Sequence, residues 1–298
     1  MISEKQCDSK GYECLLRWKK GVVIGGGAYG NVYECLNLDT GELHAVKEIS
    51  VRSPLKNGSV DLFKLKRKIE FIKKLKHKYI QKYLAIEVDH QMNRIYIISE
   101  YASGGSVRKL IDSFGKLQEA VVKKYTSQLT QAIAFLHSYK IVHRDIKCSN
   151  LLLEKNGTLK LGDLDSCKCG TETVNKSLVG TPYWMAPEVA ASQLYSPSSD
   201  IWSLGCTVIE MLSGFPPFFK ELASVKDAVE SVALVQVPPE FPKGISSECQ
   251  NFLERCLQVQ PHNRASAQEL LSHRFLCSKQ RTESEVSLST QAGSDIEY

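Results

Sequence analysis

The sequence predicts an α+β protein with two lobes, a small strand-rich lobe followed by a larger, mainly helical one. The first observation is a series of short β-branched segments, separated by Gly or Asp-Thr-Gly turns, in the first third of the chain. The second is a change to helical periodicity after Gly104-Gly105. The third is the length of 298 residues, which fits two compact units of about 150 residues each.

The individual elements follow from local patterns. Strands are predicted over residues 22–24, 32–35, 43–46 and 95–98, with a single helix near 60–76 between the last two. In the second lobe, apolar residues recur with a helical period from 119 to 138. Further helices are predicted over residues 200–213, 246–257 and 266–272. The polar ends of the chain, residues 1–17 and 277–298, are predicted to be flexible.

The composition excludes several classes of protein. No stretch reaches the length of about 18 apolar residues that a membrane span needs, and the first residues lack the apolar core of a signal peptide. The ten cysteines are scattered without a C-x-x-C pair, which is typical of reduced thiols. We therefore predict a cytoplasmic protein without a membrane partner. A metal or redox module built on Cys167 and Cys169 is a less favoured interpretation.

Positive charge is concentrated in one segment. The chain has 38 Lys and Arg against 33 Asp and Glu, a net charge of +5. Residues 64–82 alone contain nine basic residues against Glu70. We interpret this segment as a solvated helix face rather than a docking surface for an acidic partner, and we expect no nucleic-acid partner.

A glycine-rich loop is the first motif that carries chemistry. The run Gly25-Gly26-Gly27-Ala28-Tyr29-Gly30-Asn31-Val32 has the form G-x-G-x-x-G-x-V. Glycines let backbone N–H groups approach phosphates closely. A strand follows the loop where a dinucleotide-binding unit would have a helix. Lys47, in Ala45-Val46-Lys47, lies fifteen residues beyond Val32 on a predicted strand.

A second group of motifs lies in the helical lobe. The run His143-Arg144-Asp145-Ile146-Lys147-Cys148-Ser149-Asn150 is followed, thirteen residues after Asn150, by Asp163. Asn and Asp oxygens at these spacings can hold Mg²⁺ on a triphosphate while Asp145 orients a hydroxyl nucleophile. The run Ala186-Pro187-Glu188 closes the segment that begins at Asp163.

With these motifs in this order, the sequence resembles a eukaryotic protein kinase over residues 18–276. Lys147, two places after Asp145, is typical of the serine/threonine branch. Residues 18–21, 180–188 and 271–276 are similar to MAP kinase kinase kinases of the STE group. The resemblance implies the bilobal protein kinase fold, with an N-lobe over about 18–102 and a C-lobe over about 103–276.

The resemblance also implies a function. It is transfer of the γ-phosphoryl group of ATP to Ser or Thr hydroxyls of a protein substrate, with ATP and Mg²⁺ as cofactors and a MAP kinase kinase as a candidate substrate. Asp145 would take the hydroxyl proton, Lys147 would stabilise the transferred group, and Lys47 would contact the α- and β-phosphates. Asn150 and Asp163 would hold the metal.

Further family roles concern the nucleotide and the scaffold. The residues implied to bind ATP line the cleft between the lobes: Ile24, Gly25, Gly26, Gly27, Ala28, Tyr29, Gly30, Asn31, Val32, Ala45, Lys47, Glu100, Ala102, Ser106 and Leu152. Glu188 is expected to pair with Arg264, and Asp200 to brace the backbone around His143-Arg144. Ser177 is a candidate phosphorylation site, whose phosphate would pair with Arg144 and with Lys168 or Lys176.

Two positions depart from the family pattern. Lys68 stands where the helix of the small lobe should present a Glu to Lys47, and Glu70 lies about 200° further round that helix. Either Glu70 reaches Lys47 through a distortion of the helix, or another carboxylate does, or Lys47 is loosely held. Asp163-Leu164-Asp165 replaces Asp-Phe-Gly, and Asp165 removes the backbone freedom of a glycine. These departures favour the alternative function of a pseudokinase or scaffold.

Ser99 occupies the gatekeeper position before the hinge, where Met or Thr is usual in the family. The hypothesis is that this small side chain opens a pocket behind the adenine. Bulky N6-substituted ATP competitors would then inhibit the protein.

Overall fold

The computed structural model describes residues 17–27, 30–50, 62–89, 91–169, 181–192, 194–218 and 225–277. The small lobe is built on a five-stranded antiparallel sheet with the order β1-β2-β3-β5-β4. Its strands are β1 (Trp18–Gly27), β2 (Gly30–Asn37), β3 (Leu43–Ser50), β4 (Tyr83–Asp89) and β5 (Arg94–Glu100). The predicted strands lie within β1, β2, β3 and β5, whereas β4 was not predicted.

One helix, α1 (Leu62–Ile72), lies between β3 and β4 in the chain. Its inner face buries Ile69 and Ile72, and Leu75 continues this face beyond the last turn. The helix predicted near 60–76 is therefore present, but it ends at Ile72. Seven of the nine basic residues of segment 64–82 are exposed, so most of this charge lies in solvent.

The second lobe is mainly helical. Its helices are α2 (Val107–Phe114), α3 (Glu119–Ser138), α4 (Pro187–Ser192), α5 (Pro197–Ser213), α6 (Val225–Ala233), α7 (Ser247–Cys256) and α8 (Ala267–Leu271). Two short antiparallel pairs accompany them: β6 (Ile141–Val142) with β9 (Lys168–Cys169), and β7 (Leu151–Leu153) with β8 (Leu159–Leu161). The predicted helices correspond to α3, α5, α7 and α8, whereas α2, α4 and α6 were not predicted.

Helices α3 and α5 form the centre of this lobe. Helix α3 buries the apolar stripe that its sequence period predicted, including Leu129, Ile133 and Leu136. Helix α5 is buried along nearly its whole length. Ser196 caps its first turn, and Gly214 ends it in the left-handed conformation with φ of 90°. The predicted α+β fold with two lobes is confirmed.

None of the helices in the described ranges is long and apolar enough to cross a membrane. The eight cysteines of the same ranges are free thiols. The terminal segments predicted to be flexible, 1–17 and 277–298, lie outside the described residues except for Arg17 and Cys277.

Candidate active site

The loop after β6 is fastened to helix α5 by one buried carboxylate. Asp200 accepts hydrogen bonds from the backbone N–H groups of His143, at 2.8 Å, and Arg144, at 2.9 Å. His137 Nε2 lies 2.9 Å from the same carboxylate. Arg144 has a positive φ of 74°, a conformation that costs energy in a non-glycine residue and needs such support. Asp200 therefore takes the bracing position that the family resemblance implied.

Asp145 lies at the centre of a cluster of donors. Lys147 Nζ lies 2.7 Å from its Oδ2, and Asn150 Nδ2 donates to the same oxygen at 2.9 Å. The hydroxyl of Thr181 donates to Oδ1 at 3.1 Å and lies 2.5 Å from Lys147 Nζ. The structure thus brings Asp145, Lys147, Asn150 and Thr181 together in one cluster.

Asp163 and Asn150 provide a donor set that fits a divalent cation. The Asn150 amide nitrogen faces Asp145, which leaves the amide oxygen as the atom available to a metal. Asp163 follows β8 in the left-handed conformation, with φ of 60°. Burial opposes ionisation of Asp163, but the neighbouring Lys47 ammonium lowers the pKa of the carboxyl below its ordinary value. Ionised carboxylate and amide oxygens are the ligands that Mg²⁺ prefers.

Lys47, on β3, faces two carboxylates of the segment that follows β8. Its Nζ bonds to Asp163 Oδ1 and lies 3.1 Å and 3.2 Å from the two oxygens of Asp165. The Lys47 side chain is 15% exposed and that of Asp165 10%. Burial alone would lower the pKa of Lys47, but Asp165 and Asp163 raise it above its ordinary value. Burial and the charge of Asp163 raise the pKa of Asp165.

The two carboxylate partners decide between the alternatives left open by the sequence. Glu70 does not reach Lys47, because it pairs with Lys73 at 3.2 Å and its side chain is 46% exposed. Lys68 points toward the second lobe, where its ammonium donates to the Cys167 carbonyl oxygen at 2.7 Å. Among the described residues, the carboxylates that bind Lys47 are Asp163 and Asp165 of the second lobe.

The substituted segment Asp163-Leu164-Asp165 fits its place without the strain expected at Asp165. Leu164 is fully buried in the core, and its backbone N–H donates to the hydroxyl of Tyr83 at 2.8 Å. Of the two aspartates, Asp163 is the one with a positive φ, and Asp165 lies in the 3₁₀ turn Leu164–Ser166. The concern about backbone freedom at Asp165 is therefore not realised in this conformation.

The glycine-rich hairpin lies at one end of the sheet. Gly27 and Gly30 are paired across β1 and β2, while Ala28 and Tyr29 lie outside the described residues. Gly30 has a positive φ of 138°. A Cβ atom at this position would collide with the Glu48 carbonyl oxygen. Only glycine fits, so the hairpin depends on the residue type that the motif prescribes.

Several residues predicted to bind ATP lie around the end of β5, whose last residue is Glu100. Ala45 is paired with Ser99 across the sheet, and Ser106 forms an isolated bridge with Leu152. Ser106 also caps helix α2, since its hydroxyl accepts the N–H of Lys109 at 3.3 Å. The structure thus places Ala45 beside Ser99 and Ser106 beside Leu152, and the binding of adenine between these strands stays a prediction.

Gln81 is a residue of this region that the sequence analysis missed. Its amide donates to Ser99 Oγ at 3.0 Å and to the Glu100 carbonyl oxygen at 3.1 Å. Both Gln81 and Ser99 are 8% exposed. Gln81 therefore occupies space beside the small gatekeeper Ser99. The hypothesis of a pocket behind the adenine assumed that this space was empty. No pattern along the chain around Gln81 indicated this contact, because Lys82 follows it directly and its partners lie on β5.

The scaffold pair Glu188 and Arg264 is formed as expected. Arg264 donates to both carboxylate oxygens, at 2.7 Å and 2.8 Å, and its side chain is fully buried. Ser177 and Lys176 lie outside the described residues, so the phosphorylation site stays a prediction. Arg144, one of its expected partners, donates to the Ser166 carbonyl oxygen at 2.7 Å.

Comparison with known proteins shows the family of this chain. The family model for the protein kinase domain matches residues 18–276. The chain therefore belongs to the protein kinase family, whose members are ATP-dependent phosphotransferases. Within this family it is similar to mitogen-activated protein kinase kinase kinases, which confirms the predicted resemblance to the serine/threonine branch.

Two relatives illustrate this similarity. Mitogen-activated protein kinase kinase kinase 2 of Arabidopsis thaliana is 40% identical over 277 residues, which cover 89% of this chain. Mitogen-activated protein kinase kinase kinase 3 of Homo sapiens is 37% identical over 279 residues, or 92% of this chain. The matches span only 42% and 44% of the lengths of these relatives.

Proposed function

We propose that this protein is an ATP-dependent serine/threonine kinase that phosphorylates protein substrates. The observation that carries the proposal is the joint arrangement of Asp145, Lys147 and Asn150 in one cluster, with Lys47 bonded to Asp163 beside it. Phosphoryl transfer needs mainly positioning and charge neutralisation. These five residues supply both.

In the proposed reaction, the oxygen of a Ser or Thr hydroxyl attacks the γ-phosphorus of ATP. The bond from that phosphorus to the β–γ bridging oxygen breaks, and ADP leaves. The hydroxyl proton passes to the carboxylate of Asp145, while the Lys147 ammonium neutralises charge on the transferred group. Thr181 and Asn150 hold the Asp145 carboxylate in place for this role.

The remaining predicted residues would hold the nucleotide and its metal. Mg²⁺ held by the oxygens of Asn150 and Asp163 would neutralise charge on the phosphates. Lys47 would contact the α- and β-phosphates. The hairpin around Gly25, Gly26 and Gly30 would cover them with backbone N–H groups.

For the substrate, we propose a MAP kinase kinase, because the relatives are named as MAP kinase kinase kinases. We also propose a cytoplasmic location, with which the free thiols agree. The alternative of a scaffold without transfer gains no support from the relatives, and Lys47, Asp145, Asn150 and Asp163 are all present and close to one another.

The test is transfer of labelled phosphate from Mg·ATP to the protein itself, to a generic basic protein and to a MAP kinase kinase. Wild type is compared with Asp163→Asn, which keeps the shape of the side chain but removes the charge that would bind the metal. Binding of a fluorescent ADP analogue and the melting temperature are measured for both proteins.

We expect transfer by wild type, and a loss of about 100-fold or more in Asp163→Asn at an unchanged melting temperature. A wild type that binds the ADP analogue but transfers no phosphate, with Ser177→Glu included to imitate the predicted phosphate, would contradict the proposal.

A further inference from the structure

We propose that Asp165 is the positioning residue for Lys47, in the role that a carboxylate on helix α1 would otherwise have. We further propose that Lys68 links α1 to the segment that carries Asp165. The proposal rests on the proposed function, because it concerns how Lys47 is presented to the phosphates of ATP. It accounts for both departures from the family pattern by one rearrangement.

Lys47 needs a carboxylate partner besides Asp163. A lysine side chain loses rotamer entropy when it is held in one position, and a buried ammonium requires a paired charge. Asp163 bonds to Lys47 in this structure, but it is also the proposed metal ligand. When its charge is shared with a cation, Lys47 keeps a full counter-charge only if a second carboxylate is present.

Asp165 meets this requirement by geometry. Both of its oxygens lie within hydrogen-bond distance of Lys47 Nζ, at 3.1 Å and 3.2 Å, and the side chain is 10% exposed. The hydroxyl of Tyr83 lies 3.5 Å from Asp165 Oδ1 and accepts the N–H of Leu164 at 2.8 Å. Tyr83, a buried residue of β4, thus fixes the turn that carries Asp165.

The residues of helix α1 complete the rearrangement. Lys68 donates to the Cys167 carbonyl oxygen at 2.7 Å, two residues after Asp165. Lys68 therefore links α1 to the segment after β8. In the family pattern, a carboxylate on α1 would instead bind Lys47 directly. The two lysines and the two aspartates have charges that sum to zero.

Glu70 is the competing carboxylate on the same helix, and the structure provides it as a matched control. It pairs with Lys73 on the outer face of α1, and its side chain is 46% exposed. Asp165→Asn and Glu70→Gln each remove one negative charge and keep the shape of the side chain. Only the first touches Lys47.

The experiment uses the full chain and measures affinity for a fluorescent ADP analogue with Mg²⁺, kcat, KM for ATP and melting temperature. The variants are Asp165→Asn, Glu70→Gln and the double variant Lys68→Glu/Asp165→Asn. The double variant returns a carboxylate to α1 and removes the ammonium that would repel Lys47. The ADP measurement requires no transfer, so it reports on Lys47 independently of catalysis.

We expect Asp165→Asn to weaken ADP binding and raise KM for ATP by about ten-fold, with Glu70→Gln within about two-fold of wild type. The double variant should recover about three-fold or more of the loss in Asp165→Asn. The proposal is overturned if Asp165→Asn binds ADP as well as Glu70→Gln does, or if Lys68→Glu brings no recovery.

These results remain separable from the proposed function. A wild type that binds ADP but transfers no phosphate would contradict the kinase proposal. The ranking of the three variants by ADP affinity would still decide whether Asp165 positions Lys47.

Discussion

The clusters around Asp145 and around Lys47 are built in different ways. Asp145 has its partners Lys147 and Asn150 within five residues, and one partner, Thr181, further along the same lobe. Lys47 lies on β3 of the small lobe, but its described carboxylate partners, Asp163 and Asp165, belong to the other lobe. The first cluster is local to one lobe, whereas the second forms only where the two lobes meet.

This difference explains where the chain departs from its family. A residue that exchanges a proton or charge with the reacting atoms has no substitute elsewhere, so the motif around Asp145 matches the family pattern. A residue that only holds another in place can be replaced from a different element, provided that the charges still balance. Lys68 and Asp165 are such a replacement, in which the negative charge has moved from helix α1 to the segment after β8.

The largest effect is expected from breaking the Asp145 cluster. Asp145→Asn removes the proton acceptor, so kcat should fall by about 100- to 10,000-fold. KM for ATP should stay within about two-fold, because in the proposed reaction Asp145 acts on the substrate hydroxyl and not on the nucleotide. Steady-state kinetics with ATP varied would measure both, with Asp112→Asn as the control, because the Asp112 side chain on α2 is 62% exposed. A rise in KM instead of a fall in kcat would place Asp145 with the nucleotide-binding residues.

The second prediction concerns the ion pair between Glu188 and Arg264, which lies in the same lobe as the Asp145 cluster. Arg264→Ala leaves Glu188 without its buried partner, so the free energy of unfolding should fall by about 3–5 kcal/mol. Arg17→Ala breaks the pair with Asp39, whose side chains are 60% and 48% exposed, and should cost at most about 1 kcal/mol. Urea denaturation measures both variants, and equal losses would refute this distinction.

The smallest effect is expected at Gln81, beside the hinge. Gln81→Ala should increase the potency of bulky N6-substituted ATP competitors by about ten-fold, because it frees the volume of roughly two buried methylene groups beside Ser99. Inhibition constants against ATP measure the change. Ser99→Met is the control and should remove the gain when added to Gln81→Ala. Unchanged potency in Gln81→Ala would show that Gln81 does not limit this space.

Periodicity predicted the long helix well. The apolar stripe from 119 to 138 matches the limits of α3, because a twenty-residue helix repeats its pattern over several turns. Short elements gave weaker signals. Strand β4 has buried Tyr83 and Ala85 but only half-buried Val88 and Asp89, so its alternation is incomplete. Helices α2 and α4 have eight and six residues, too few for a period to be distinguished.

Much of the candidate site was also predictable from the order of the motifs. The sequence indicated Lys47, Asp145, Lys147, Asn150 and Asp163, and the structure brings these residues together. The sequence also showed that helix α1 lacks the expected carboxylate opposite Lys47, but it did not show which residue replaces that carboxylate. Gln81 was missed because nothing in its neighbourhood along the chain shows that Ser99 and Glu100 lie across from it.

The sequence by itself determined the two-lobed fold, the kinase family and the residues that would act on ATP and the substrate hydroxyl. These depend on short-range patterns, namely helical and strand periods and motifs at fixed spacings. Only the tertiary structure decided that Asp165 faces Lys47, that Glu70 points into solvent and that Lys68 reaches the Cys167 carbonyl. The contacts of Lys47 with Asp165 and of Lys68 with Cys167 join residues about a hundred positions apart. Their energies depend on burial and distance, which exist only once the chain has folded.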